Sequence, residues 1–196
     1  MRKHIARSAL TVLAGCAAAG LTLTSGTATA ADGTWSISPG GSFTSTAAGT
    51  PTFTVERSGQ KFTCDYSSFE GSFKSGTNLP STGLGRAIAY FENCNIAGID
   101  FSRADQVSLD GAGSSGSQVG FYLKGVEQGV AGQCKFTYQP GSWHVGFYDN
   151  NTDVMRLHNT ATVETASCYG IIKAGDKLTS VNDYKLQPAQ FISKTS

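Results

Sequence analysis

The stretch Trp143-His144-Val145-Gly146-Phe147-Tyr148, the polar run Asp149-Asn150-Asn151-Thr152-Asp153, and Val154-Met155-Arg156-Leu157 decide the fold. The two outer segments alternate side-chain character with a period of two, and the middle run is built from turn formers. A strand places successive side chains on opposite faces, so this pattern predicts a hairpin with one face on a core.

The same reading extends in both directions. Phe53-Thr54-Val55, Phe62-Thr63-Cys64, Ile99-Asp100-Phe101, Val107-Ser108-Leu109, Val119-Gly120-Phe121-Tyr122-Leu123 and Cys134-Lys135-Phe136-Thr137-Tyr138 all alternate. Between them sit Pro39-Gly40-Gly41, Ser58-Gly59, Gly111-Ala112-Gly113 and Pro140-Gly141. Short strands with regular turn clusters predict a single all-β domain, an antiparallel sandwich or barrel. Leu84, Ala87, Ile88 and Phe91 also fit a helical spacing. Gly83 and Gly85 stand where a helix would begin, with no capping residue pair, so the segment reads as a strand.

The first thirty residues are of another kind. Arg2, Lys3 and Arg7 precede an apolar run from Ala9 to Leu23, and Ala28-Thr29-Ala30 supplies small residues ahead of Ala31. This is the layout of a secretory signal peptide spanning 1–30, with the extracellular domain occupying 31–196. Leu13-Ala14-Gly15-Cys16 is the competing signal, for a lipid anchor through Cys16. The apolar run continues past it through Leu21 and Leu23, which favours plain secretion. No later segment has the roughly 18 apolar residues of a membrane-spanning helix.

Removing the leader changes the charge. The chain has 15 basic and 14 acidic residues; the leader holds three basic and no acidic ones, which leaves 12 against 14, a net of −2. A mildly acidic domain is a poor partner for nucleic acid or anionic lipid.

Cys64, Cys94, Cys134 and Cys168 remain after Cys16 leaves. An even four in an exported chain predicts two disulfides, with three connectivities open. Cys64–Cys94 and Cys134–Cys168 close the shortest separate loops and are the expected pairs. With no C-x-x-C and two histidines left, neither a metal site nor a cofactor is expected.

Several motifs carry weaker chemistry. Gly111-Ala112-Gly113-Ser114-Ser115-Gly116 matches G-x-G-x-x-G, but strand-like sequence follows where the dinucleotide motif needs a helix. Asp149 to Asp153 begins like a calcium loop, yet Val154 and Thr160 replace its Gly and its bidentate Glu. His144 and His158 flank the hairpin turn, where a secreted hydrolase would use one as general acid or base. No nucleophile motif accompanies them. Glu56, Glu70, Glu92, Glu127 and Glu164 are scattered, without an acidic–aromatic cluster. No catalytic residue is therefore expected. Trp143, Tyr138, Tyr148 and Trp35 are the candidate binding residues, since aromatic faces stack on sugars and anchor protein interfaces.

The ends of the mature chain resemble a family. Thr34-Trp35-Ser36-Ile37-Ser38-Pro39-Gly40-Gly41-Ser42-Phe43-Thr44, Ser167-Cys168-Tyr169-Gly170-Ile171-Ile172, Gly175-Asp176 and Tyr184-Lys185-Leu186-Gln187-Pro188-Ala189-Gln190 are similar to small secreted β-rich proteins of actinobacteria, of the Streptomyces type. Phe62-Thr63-Cys64 and Phe91-Glu92-Asn93-Cys94 sit where that family's first cysteines would fall. The resemblance implies export, a β-rich fold and two disulfides, and assigns no catalytic residue. Together these readings predict a non-catalytic extracellular or cell-envelope module that binds wall glycan or a secreted protein partner. A hydrolase using His144 or His158, and a self-assembling surface protein, are the alternatives.

Overall fold

The computed structural model describes residues 33–139 and 143–195, with the backbone alone for 126–131, 143 and 144. The leader, Cys16 and the Pro140-Gly141 turn lie outside the described residues. Thirteen strands are present: β1 (Thr34–Ser38), β2 (Gly41–Phe43), β3 (Thr52–Val55), β4 (Gln60–Phe73), β5 (Gly76–Leu79), β6 (Gly85–Ile96), β7 (Ile99–Ser115), β8 (Gln118–Gly132), β9 (Lys135–Tyr138), β10 (Trp143–Asp149), β11 (Val154–Ser167), β12 (Lys177–Lys185) and β13 (Phe191–Thr195). No helix occurs among the described residues, and none is long and apolar enough to cross a membrane.

The strands follow one another around a ring. β3 pairs with β4, β4 with β6, β6 with β7, β7 with β8, β8 with β10, β10 with β11, β11 with β12, and β12 returns to β3, all antiparallel. This is an eight-stranded up-and-down barrel, and closure removes the free edges that an open sheet would expose. The expectation of a sandwich or barrel resolves to the barrel. The segment with the helical spacing is strand from Gly85 onward, as part of β6.

Eight strands enclose a lumen just wide enough for side chains to fill. Here aromatic rings fill it. Phe53 stacks on Phe62 at 4.6 Å and meets Phe91 edge-on at 5.0 Å, while Phe62 meets Phe101 edge-on at 5.3 Å. Offset and edge-on pairs add about 0.5–1.5 kcal/mol each beyond the area they bury. The cavity left among Phe69, Ala89, Asp105 and Leu157 is about 20 Å³, room for roughly one water molecule. The barrel interior is core.

A three-stranded sheet, β13-β1-β5, caps one end. Its buried Trp35, Ile37 and Ile192 pack toward Phe121, which lies 6.4 Å from the indole. The edge of β13 is closed by a side chain: the Asn150 amide donates to the Ile192 carbonyl and its oxygen accepts the Ile192 N–H, both at 2.8 Å. An asparagine thus takes the place of a neighbouring strand.

The disulfides are Cys64–Cys94, between facing positions of β4 and β6, and Cys134–Cys168, at the barrel end opposite the cap. Both are the expected pairs. Two cystines are compatible with an oxidising compartment.

Candidate functional site

The hairpin of β10 and β11 shapes the most distinctive surface of the barrel. Its turn is fixed by Asp149. The Asp149 carbonyl accepts the N–H of Asp153 at 2.9 Å, and its carboxylate accepts the N–H of Asn151 at 2.9 Å. Asp153 closes the turn with φ of 61°, a conformation that Asp and Asn tolerate better than most residues. The aspartates that resemble a calcium loop are thus committed to the turn. Among the described residues no three His, Cys, Asp or Glu side chains converge.

Register then sorts the hairpin's side chains. Gly146, Tyr148, Met155 and Leu157 are buried in the lumen. A Cβ at Gly146 would press on the ends of the Leu123, Leu157 and Met155 side chains at 3.0–3.1 Å. The alternate positions face out. Phe147 lies opposite Arg156, and Val145 opposite His158. Gln118, Phe147, Asp149, Thr152, Val154, Arg156 and His158 line an open depression of about 320 Å³, within the usual size range of small-ligand sites.

Phe147 is 40 % exposed, and the His158 imidazole meets it edge-on at 5.8 Å. Arg156 holds Asp183 of β12 with two hydrogen bonds of 2.7 Å. That pairing keeps the Asp183 carboxyl below the usual carboxylate range and raises the Arg156 guanidinium. An exposed ring beside the planar groups of Gln118, Asp149, Arg156 and His158 can stack on one face of a sugar and hydrogen-bond its rim. A comparable depression of about 340 Å³ on β4, β6 and β7, lined by Glu70, Arg86, Ile88 and Gln106, has no aromatic in its lining.

The aromatic candidates from sequence go elsewhere. Trp35 is fully buried between the cap and the barrel and offers no face to a ligand. Tyr148 is equally buried; its hydroxyl donates to the Gln190 carbonyl at 2.8 Å and accepts the Gln190 N–H at 2.9 Å. Burial pushes that phenol up to about 12. Both are core residues, because the alternation places them on the inner face of their strands.

Tyr138 is half-buried, and the Arg103 guanidinium covers one face of its ring at 4.2 Å. Arg103 itself is buried and bonds Asp105 at 3.0 and 2.5 Å. The ring therefore serves an internal ion pair. The side chain of Trp143 lies outside the described residues, as does that of His144. In the backbone register His144 faces Asn159 while His158 faces Val145, so the two histidines are offset by one position.

Phe147, Arg156 and Asp183 carry the site, and the sequence reading did not single them out. The hairpin has aromatics at both parities, Phe147 on one and Tyr148 on the other. Alternation alone does not say which set faces the core. The class that fold and site define is a disulfide-stapled antiparallel barrel with a surface groove. No family model, curated protein or solved structure matches this chain.

Proposed function

We propose that this is a secreted, non-catalytic extracellular or cell-envelope protein that binds cell-wall glycan through the outer face of β10 and β11. The observation that carries the proposal is the exposed Phe147 ring in a depression rimmed by Gln118, Asp149, Arg156 and His158. Apolar rings flanked by a few fixed hydrogen-bonding groups are the chemistry of carbohydrate recognition. The leader over residues 1–30 and the family resemblance support export.

The same features favour binding over hydrolysis. The depression is open, and the His158 imidazole packs edge-on against the Phe147 ring. The lumen, where a protein could exclude water, is filled with aromatic side chains.

The test is sedimentation with insoluble peptidoglycan and with chitin. The mature protein is expected in the pellet of at least one, and Phe147→Ala in the supernatant. A wild-type protein that stays wholly in the supernatant with both would overturn the proposal.

A further inference from the structure

A second depression adjoins the one on β10 and β11, on the far side of β12. Arg156 faces Asp183 and His158 faces Val181 in the β11–β12 ladder. The second depression, of about 290 Å³, begins at those β12 residues, and Ala47, Ala48, Gly49 and Thr50 form its far side. That segment runs along β12: the Ala48 N–H donates to the Asp183 carbonyl at 2.8 Å, and Ala47 bridges to Tyr184.

Both depressions lie on the outside of the wall. Phe147, Arg156 and Asp183 occupy one rung across three strands, while their neighbours Gly146, Leu157 and Asn182 are buried. The Arg156–Asp183 pair forms the ridge between the two. From β10 to the 47–50 segment is three interstrand steps, roughly 14 Å at about 4.8 Å each. One sugar ring cannot reach from Phe147 to Gly49.

The far depression has its own apolar surface, because Val181 is 57 % exposed. Its far side is open at Gly49, where a Cβ would meet nothing within 4 Å. Charge narrows the ligand further. Among the described residues lining the two depressions, Arg156 is the one Lys or Arg side chain, and Asp183 already holds it. Asp149 adds a carboxylate. A polyanion finds no unpaired Lys or Arg among these residues, whereas hydroxyls and amides find donors and acceptors.

We infer that the groove takes an extended neutral polysaccharide lying across the strands, with one subsite at Phe147 and a second at Val181. This rests on the glycan reading above and adds chain length and charge to it.

Isothermal titration of the mature protein with two neutral series, N-acetylglucosamine oligomers and unsubstituted glucose oligomers, tests it, with polygalacturonate as the acidic control. Affinity is expected to rise about tenfold or more from disaccharide to hexasaccharide in one series, as the second subsite engages. Val181→Asp and, separately, Ala48→Glu are expected to abolish that rise and leave disaccharide affinity unchanged. Either variant suffices if the other fails to fold by circular dichroism. Equal affinity at every length, or a length effect that survives both variants, would overturn the two-subsite inference and leave the glycan reading standing. Preference for polygalacturonate would overturn the neutral ligand. No binding of any oligomer would overturn the inference, and the sedimentation test decides the glycan reading separately.

Discussion

Gly111 of β7 lies directly beneath the indole of Trp35 on β1, so close that even a methyl group at this position would collide with the Cε2–Cζ2 edge of the ring. The contact joins the cap to the barrel. A bulge in the β7–β8 ladder between Gly111 and Gly113 brings the backbone there, and the Gly111 N–H is held by the Ser81 carbonyl at 2.7 Å.

Gly111→Ala is therefore expected to destabilise by about 1–3 kcal/mol, the usual cost of overpacking a filled core. Urea unfolding followed by tryptophan fluorescence measures it. The neighbouring Gly113→Ala is the control, because a Cβ there meets nothing within 4 Å. An equal loss in both variants would remove the Trp35 contact as the cause.

Phe147 and Tyr148 are adjacent in sequence and should have opposite phenotypes in sedimentation. Phe147→Ala removes a half-exposed ring and should cost about 1–2 kcal/mol of stability while abolishing glycan sedimentation. Tyr148→Phe leaves the N–H of Gln190 without its partner and should cost about 1–3 kcal/mol, with sedimentation retained. Thermal melts and pull-downs on the same preparations check both.

Alkaline pH should loosen the fold. Burial raises the phenols of Tyr148 and Tyr184 from 10.0 to about 12 each. A folded-state value above the unfolded one means that the folded chain holds the proton more tightly. The stability this represents is whole below pH 10 and is lost as pH rises from 10 toward about 12. A pH series of urea midpoints should fall in that window, and Tyr184→Phe should flatten the fall.

Acid acts through a different pair. Arg57 bonds Asp176 at 2.6 and 3.0 Å, and Asp176 also accepts the Lys173 N–H at 2.9 Å. The Arg57 hydrogen bonds, ahead of the Lys173 contact, hold the buried carboxyl below its ordinary value of 3.8. A lowered folded-state value gives stability that is present above pH 3.8 and lost as pH falls through the folded value. Arg57→Ala should move the acid unfolding midpoint to higher pH, read by far-UV circular dichroism.

The staples should differ in consequence from surface changes. Loop separations of 30 and 34 residues correspond to about 3–4 kcal/mol per crosslink in the loop-entropy model. Replacing Cys134 and Cys168 together by Ser should lower the melting temperature of the mature protein. The melt of unreduced wild type is the reference.

Much of the fold was legible in local sequence. Alternation located the strands, and Gly83 and Gly85 decided for a strand in the segment that is β6 from Gly85 onward. Asp149 to Asp153 announced the β10–β11 turn, since its side chains bond its own backbone. Four cysteines in two short loops indicated the pairing. The cap was not legible, because β1 meets β13 across almost the whole chain and no local pattern reports so distant a partner.

The candidate site was half legible. Two of the four aromatic candidates, Trp143 and Tyr148, lie in the hairpin that forms the groove, but Trp35 and Tyr148 proved to be core and Tyr138 the companion of a buried Arg103–Asp105 pair. Size and aromaticity marked these residues, and large aromatics serve a core as readily as a surface.

Composition, alternation and turn chemistry by themselves determined an all-β domain stapled by two disulfides. These are properties of neighbours along the chain. Only the tertiary structure decided that the sheet closes on itself and that Phe147 rather than Tyr148 meets solvent. Only it brought Arg156 to Asp183. A strand's period of two defines two faces without naming the inner one, and ring closure alone gives the faces an inside.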